Sequence, residues 1–371
     1  MSVPTKATQV VFERKPNGDV VTDTTKSDST FAVKEAKLNT DLKTGDLLIK
    51  TLYLSNDPTQ RTWLKEEGNK ERNYIKPVYE GQVMEALGIA KVVKSNADGF
   101  KEGDIVSSRI QWADYSILSA DAVFNKVDPN ANLPLPYYLS VLGMTSLTAF
   151  FGLVEAGQLR KYLSGEHEKG PIVCVSAASG AVGSTVVQIA KHLLGASKVI
   201  GLSGSDEKSK WVEKLGADLC VNYKNPDYKE QIVKFLDGEY IDVYFDNVGG
   251  DILSFVLTQM ATFGKIAACG AISGYNDPNA ARVDNWFHII AQCLTVEGFL
   301  VSNYQDKFSE AIGILSKAIK EKKLDVDDSI HVETLTGDSD EKKLSQIPQI
   351  WNQLFTGEKP KGKLLIKVAD A

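Results

Sequence analysis

Metal-ligand spacing is what this 371-residue chain most plainly lacks. Its four cysteines, Cys174, Cys220, Cys269 and Cys293, never form a CxxC pair, and His167, His192, His288 and His331 are scattered. A zinc ion needs such ligands clustered, so no metal is expected. No apolar run approaches the ~18–20 residues that span a bilayer, and the opening MSVPTKATQVVFERK carries no apolar signal core. A cytoplasmic chain with mostly buried, reduced thiols is the expectation, and a membrane is not an expected partner. Positive charge is not in excess either: 42 Lys and Arg face 48 Asp and Glu, a net charge of −6, which argues against nucleic acid as a partner.

What remains is an ordinary globular composition, 43% hydrophobic and 24% charged, in a chain too long for one typical domain. Residues 1 to about 140 hold short β-type runs (LLIKTLYL, GIAKVVKS, DIVSSRI, DYSIL) separated by NDP, DGF, EGD and DPN turns, the pattern of an all-β barrel. Beyond them strands and helices alternate. PIVCVS, KVIGLS, IDVYFD, KIAACG and TVEGFL are strand candidates, and Phe308 to Ile319 carries an apolar helical stripe. The tail GKLLIKVAD returns to β character and is expected to rejoin the first domain. GEHEK, before the first of the later strands, is expected to be a solvated loop.

The most informative segment is VCVSAASGAVG, residues 173–183, a buried strand turning sharply into a helix. Gly180 and Gly183 permit close approach of backbone and helix, and the free N–H groups of a new helix face an anionic ligand such as a pyrophosphate. Ala178 stands where the usual GxGxxG has its first glycine, and a loop of this kind can also serve packing alone. SKVIGL then GSDEKSKWVEKLGA complete a βαβ unit. Ser203 and Gly204 occupy the place where an acidic residue would accept a ribose 2′-OH, and Lys208 and Lys210 follow, which favours NADP over NAD. Asp206 and Glu207 weigh against this, and they also read simply as partners of the helix dipole.

Six segments in order resemble one family: YLSNDPTQR at 53–61, LGMTSLTA at 142–149, SAASGAVG at 176–183, GSDEK at 204–208, FDNVGG at 245–250 and CGAISGYN at 269–276. The chain resembles, over essentially its whole length, the zinc-independent medium-chain dehydrogenases/reductases, nearest the prostaglandin reductases and NADP-dependent alkenal double-bond reductases. That resemblance implies an α/β fold: a GroES-like β-barrel catalytic domain at 1–140 and 320–371, and a Rossmann doubly wound parallel sheet at 141–319 for the cofactor. It implies NADP(H), an enal or enone substrate and a homodimer.

By the same resemblance, Gly180, Ala181, Val182 and Gly183 contact pyrophosphate, Lys208 and Tyr223 hold the 2′-phosphate end, and Asn247 lies at a later strand end. Cys269, Gly270, Ala271, Ile272, Ser273 and Tyr275, with Phe299, Leu300 and Val301, line the nicotinamide side, braced by Met144 and Thr148. Asn56, Thr59, Arg61 and Tyr275 would meet substrate. The implied reaction reduces a carbon–carbon double bond conjugated to a carbonyl, with Tyr275 as the catalytic hydrogen-bond donor or acid; a tyrosine keeps its proton at neutral pH. The plainer readings stay open: Tyr223 and Tyr275 as surface aromatics, Phe299 and Val301 as core, Asn247 as a turn residue.

Two segments depart from the family pattern. Relatives often carry DPYMR where this chain has Asp57-Pro58-Thr59-Gln60-Arg61, and Lys359-Pro360-Lys361-Gly362-Lys363 lacks an asparagine that many relatives place before the final Gly-Lys. Trp112 and Tyr115 in QWADYS either flank a site or fill the barrel. A quinone oxidoreductase of the same superfamily and a non-catalytic NADPH-binding protein are the alternative functions.

Overall fold

The computed structural model describes residues 3–69, 71–131 and 133–371. The chain forms two units, one of Met1–Leu139, His331–Pro360 and Leu364–Ala371, the other of Ser140–Ile330 and Lys361–Lys363.

The first unit is mostly antiparallel β-structure. Its long strand Asp46–Ser55 pairs with Glu85–Ser95, with Tyr115–Ser119 and with the returning strand Lys363–Lys367. Breaks in register between Leu48 and Ile49 and between Thr51 and Tyr53 bend this strand, as bulges do where a sheet curls. A two-stranded sheet of Lys6–Phe12 and Phe31–Lys37 lies beside it, with Phe12 and Phe31 wholly buried. Trp112 resolves to core: its ring packs 5.5 Å from Phe31 and 5.9 Å from Trp351 of the helix Ile347–Thr356. Burying such aromatic area is the largest favourable contribution a small β-unit has, worth ~2–3 kcal/mol per ring.

The second unit is a six-stranded sheet, all parallel: in spatial order Leu219–Asn222, Lys198–Ser203, Ile172–Val175, Ile241–Asp246, Met260–Ala268 and Thr295–Gly298. Numbered along the chain this is 3-2-1-4-5-6, the order of a doubly wound sheet. The central strand Ile172–Val175 is buried at every position, which is why its sequence reads as continuous IVCV rather than alternating. The direction of winding reverses between Ile172–Val175 and Ile241–Asp246. Ligands of such sheets bind outside the carboxyl ends of the strands at that reversal.

Of the thiols, Cys174 and Cys220 are buried and Cys269 is partly so, whereas Cys293 is exposed. It follows the short helix Phe287–Ala291 in a left-handed backbone conformation, φ 51°, on a turn that the apolar sequence QCLTV does not announce. Among the described residues, no helix is long and apolar enough to cross a membrane, and no group of three or more His, Cys, Asp or Glu is placed to hold a metal ion.

Candidate active site at the strand ends

Ile172–Val175 ends in Ser176, and the chain then turns through Ala177, at φ 49°, into the helix Ala181–Gln188. Gly183 is required by the turn itself. A Cβ there would lie 2.3 Å from the Ala177 carbonyl oxygen and 2.8 Å from the Ala178 Cα. The Ala178 N–H donates to the Leu202 carbonyl at 2.8 Å, tying the loop to the neighbouring strand, and the Ser179 carbonyl accepts from the Gly362 N–H at 2.9 Å. Ala178, wholly buried, thus takes the first-glycine place without strain on φ. Gly180 is the N-cap and offers no side chain, so the first N–H groups of Ala181, Val182 and Gly183 are without a side-chain cap.

Asp246, 2% exposed at the end of the adjacent strand, organises this edge. Its Oδ1 accepts from Ser176 Oγ at 3.1 Å, the Tyr244 hydroxyl at 3.0 Å, and the Val248 and Gly249 N–H groups at 3.0 Å each. Burial raises its carboxyl above the usual range, partly offset by those donors. Asn247 then bridges to the first strand: its N–H donates to Ser176 Oγ at 2.9 Å and its side-chain amide to the Ser176 carbonyl at 2.8 Å.

The segment Cys269–Tyr275 docks on the same turn. The N–H groups of Cys269 and Gly270 donate to the Asp246 carbonyl, that of Ile272 to Asn247 and that of Ser273 to Val248, while Ser273 Oγ donates to the Val248 carbonyl at 2.6 Å. Tyr275 is half-buried, and its hydroxyl accepts from the Ala271 N–H at a long 3.4 Å. A Cβ on Gly270 would come 3.2 Å from that hydroxyl. Burial, aided by Asp246, pushes the Cys269 thiol up to about 12, so it stays protonated and is no nucleophile at neutral pH.

At the other side of the sheet reversal, Ser203 and Gly204 end the second strand. Ser203 Oγ lies 2.8 Å from Ser209 Oγ, and Tyr223, 40% exposed, lies across Gly204. Ser205 caps the helix Asp206–Lys214 by accepting the Lys208 N–H. Of the two acidic neighbours that weighed against NADP, Glu207 acts on Lys208, whereas Asp206 is engaged elsewhere: its Oδ1 accepts from the side-chain amides of Asn222 at 2.9 Å and Asn225 at 3.2 Å. Lys208 and Lys224 form no salt bridge among the described residues. Burial, and next the Lys224 charge, lower the pKa of Lys208. The Glu207 charge offsets this only in part, and two neighbouring cations outside any salt bridge are a ready partner for a dianionic phosphate. Lys224 escaped the sequence reading because it follows a strand not recognised there; Asp246 escaped it because an aspartate ending an apolar run reads as a turn.

The remaining candidates lie as follows. Met144 and Thr148 share a partly exposed face of the helix Met144–Phe151, where Thr148 Oγ1 donates to the Met144 carbonyl. Phe299 is 8% exposed and packs edge-on against Phe245, with its ring over Gly152, while Leu300 is exposed and Val301 half-buried. In the first unit, Asn56 is buried, and Arg61 donates to the carbonyls of Gly18 at 3.0 Å and Pro16 at 3.4 Å. Thr59 Oγ1 is hydrogen-bonded to the Tyr74 hydroxyl, which also accepts from Trp63 Nε1 at 3.1 Å. Where the family asparagine is missing, Lys361 pairs with Asp328 at 2.5 Å, and Asp328 accepts from Trp211 Nε1 at 2.9 Å.

Comparison with known proteins places this arrangement among others. A family model described as zinc-binding dehydrogenase matches residues 181–317, and one described as N-terminal domain of oxidoreductase matches residues 9–126. A Saccharomyces cerevisiae protein described as an uncharacterized membrane protein is 38% identical over 91% of both chains. A 2-alkenal reductase (NADP(+)-dependent) of Nicotiana tabacum is 36% identical over 76% of this chain and 79% of its own. The crystal structure of CurA from Vibrio vulnificus in complex with NADPH superposes with a TM-score of 0.82 at 27% identity, covering 98% of this chain and 100% of that one.

Proposed function

The chain belongs to the medium-chain dehydrogenase/reductase family, among the prostaglandin reductases and NADP-dependent alkenal reductases, and from that premise we propose that it reduces the double bond of α,β-unsaturated aldehydes and ketones. It is an NADP-dependent oxidoreductase, and its cofactor is NADP(H).

The residues fit that cofactor. Gly183 keeps the turn tight against its own backbone, the uncapped N–H groups at the start of the helix Ala181–Gln188 face the pyrophosphate, and Lys208 with Lys224 meets the 2′-phosphate. Tyr223 lies where an adenosine edge would rest. When bound, NADPH supplies the hydride that the alkene takes at its β-carbon. The protein's task is then alignment, plus a donor for the charge that develops on the carbonyl oxygen. Tyr275 supplies the donor through its phenol O–H, and the backbone that carries it is tied to Asp246, Asn247 and Val248. That anchoring of a phenol on the strand-end turn is the observation that carries the reading. In this reading the second unit is the cofactor domain and the first unit, which carries Asn56, Thr59 and Arg61, the catalytic domain.

The assembly proposed is a homodimer through the edge strand Thr295–Gly298. Among the described residues only one side of that strand is paired in the sheet, and Val296 is exposed, as are Trp286, Phe287 and Ile290 of the segment before it. An unpaired edge with apolar neighbours is a template for a second copy.

The test is loss of NADPH absorbance with a medium-chain 2-alkenal, an enone and a quinone in parallel, repeated with NADH and with a chelator. Chelator-resistant turnover of the alkenal to the saturated aldehyde, faster with NADPH, supports the proposal. Turnover of the quinone alone would replace it by the quinone oxidoreductase reading, and NADPH binding with no turnover would replace it by a binding role.

A further inference from the structure

The first unit holds a cavity of about 220 Å³ that the proposed reaction does not use. It opens between the strand carrying Lys50 and Thr51, the turn at Asp114 and Tyr115, and the short helix Asp340–Leu344. Two polar groups there are left over. Asp114 Oδ1 accepts the N–H groups of Thr8 at 2.9 Å and Tyr115 at 2.6 Å, whereas its Oδ2 has no donor among the described residues. Thr51 is wholly buried, and its Oγ1 has no hydrogen-bond partner. A buried hydroxyl without a partner costs ~1–3 kcal/mol, and the half-buried Asp114 carboxylate adds a partly desolvated charge beside it, so a polar occupant is to be expected.

The charges fix the sign of that occupant. Asp340 faces Asp114 and raises its pKa further, beyond the larger effect of burial, to about 6. Neither lysine of the lining neutralises Asp114: Lys343 is 3.5 Å from Asp340, and Lys50 Nζ donates to the Asp370 carbonyl at 3.0 Å. Tyr115, the remaining titratable group, is itself held protonated by burial and by the two carboxylates. Two carboxylates without a third His, Cys, Asp or Glu are too few for a divalent or transition metal, and the nearby lysines disfavour a high charge.

We propose that this cavity binds a monovalent cation of the potassium or ammonium class, held by Asp114 Oδ2 and Thr51 Oγ1 with the Asp340 carboxylate opposite. The volume takes such an ion with several waters, each ~30 Å³, or the head of a small primary amine.

Thermal unfolding of the full chain in potassium, ammonium, methylammonium, sodium and choline chlorides at equal ionic strength tests it, without nucleotide. At about pH 7.5, a saturable rise in Tm of roughly 2–4 °C over choline is expected in potassium or ammonium. It should be lost in Asp114→Asn, which keeps the acceptor for Thr8 and Tyr115, weakened in the exposed Asp340→Asn, and lost below about pH 5. Equal rises in potassium and ammonium identify an inorganic ion. Rises confined to ammonium and methylammonium identify an amine. The same Tm in all five salts, or a rise undiminished in both variants, overturns the proposal.

Discussion

Lys208 is depressed in pKa by burial and then by Lys224, a residue sixteen positions later on the next parallel strand's exit, and among the described residues no carboxylate forms a salt bridge with either. Each therefore gains a partner when a phosphate arrives rather than exchanging one. Lys208→Ala is expected to raise the NADPH dissociation constant by about 10- to 100-fold, the range for a partly desolvated charge pair, with little change for NADH. Lys224→Ala should act in the same direction and less, since it is exposed. Nucleotide titrations at low and high salt check this; equal losses for both nucleotides would remove these lysines from the phosphate.

Gly183→Ala places a methyl group 2.3 Å from a backbone oxygen that the turn cannot move cheaply. A stability loss of about 1–3 kcal/mol is expected, with weaker binding of NADPH and NADH alike. Denaturant unfolding and the same titrations separate the two effects. An unaltered protein would mean that helix and loop can part without consequence.

If the proposed donor role holds, Tyr275→Phe should lower turnover of an enone by about 10- to 100-fold while NADPH affinity changes little, because the lost hydrogen bond would be one made to the charge that develops in the reaction. Single-turnover rates beside equilibrium binding are the measurement. An unchanged rate would assign the proton to solvent.

Much of this was legible. The strand candidates of the second unit gave its sheet because buried parallel strands are continuous apolar runs, and the missing acid at Ser203–Gly204 pointed to NADP. The strands Phe31–Lys37 and Leu219–Asn222 were not recognised: one is FAVKEAK, half exposed and lysine-rich, and the other spans only four residues. The Asp246 hub was invisible for another reason. Its partners come from Ser176, seventy residues earlier, and from the turn after it, and no local periodicity records such a meeting. Tyr74 beside Thr59 is similar, a phenol brought from a different loop to a position where relatives carry an aromatic residue.

Asp114 provides a pH signature. Its folded pKa of about 6 lies above the ordinary 3.8, so the native state holds the proton more tightly, and the stability this contributes is full below pH ~4 and lost as pH rises through 6. Asp114→Asn should therefore match the parent near pH 4 and exceed it above pH ~6.5 in a choline buffer. After allowance for solvent screening the gain is about 1 kcal/mol. Chemical denaturation across that window decides it; a variant less stable at pH 7 would show that the carboxylate is compensated.

Val296→Lys and Phe287→Glu place charge on the unpaired edge and the apolar segment beside it. Light scattering should show half the parent mass at micromolar concentration, with each unit still folded by circular dichroism. A parent that is already monomeric would remove the edge-strand assembly.

The hydrogen bond from Gly362 to Ser179 sets a timetable for the growing chain. Domains generally fold as they emerge, amino-terminal part first, yet the glycine turn waits for a backbone partner made more than 180 residues later. All six strands of its sheet are synthesised before that partner exists. A nascent chain short of Gly362 would hold all six strands with a nucleotide turn that still lacks this backbone partner.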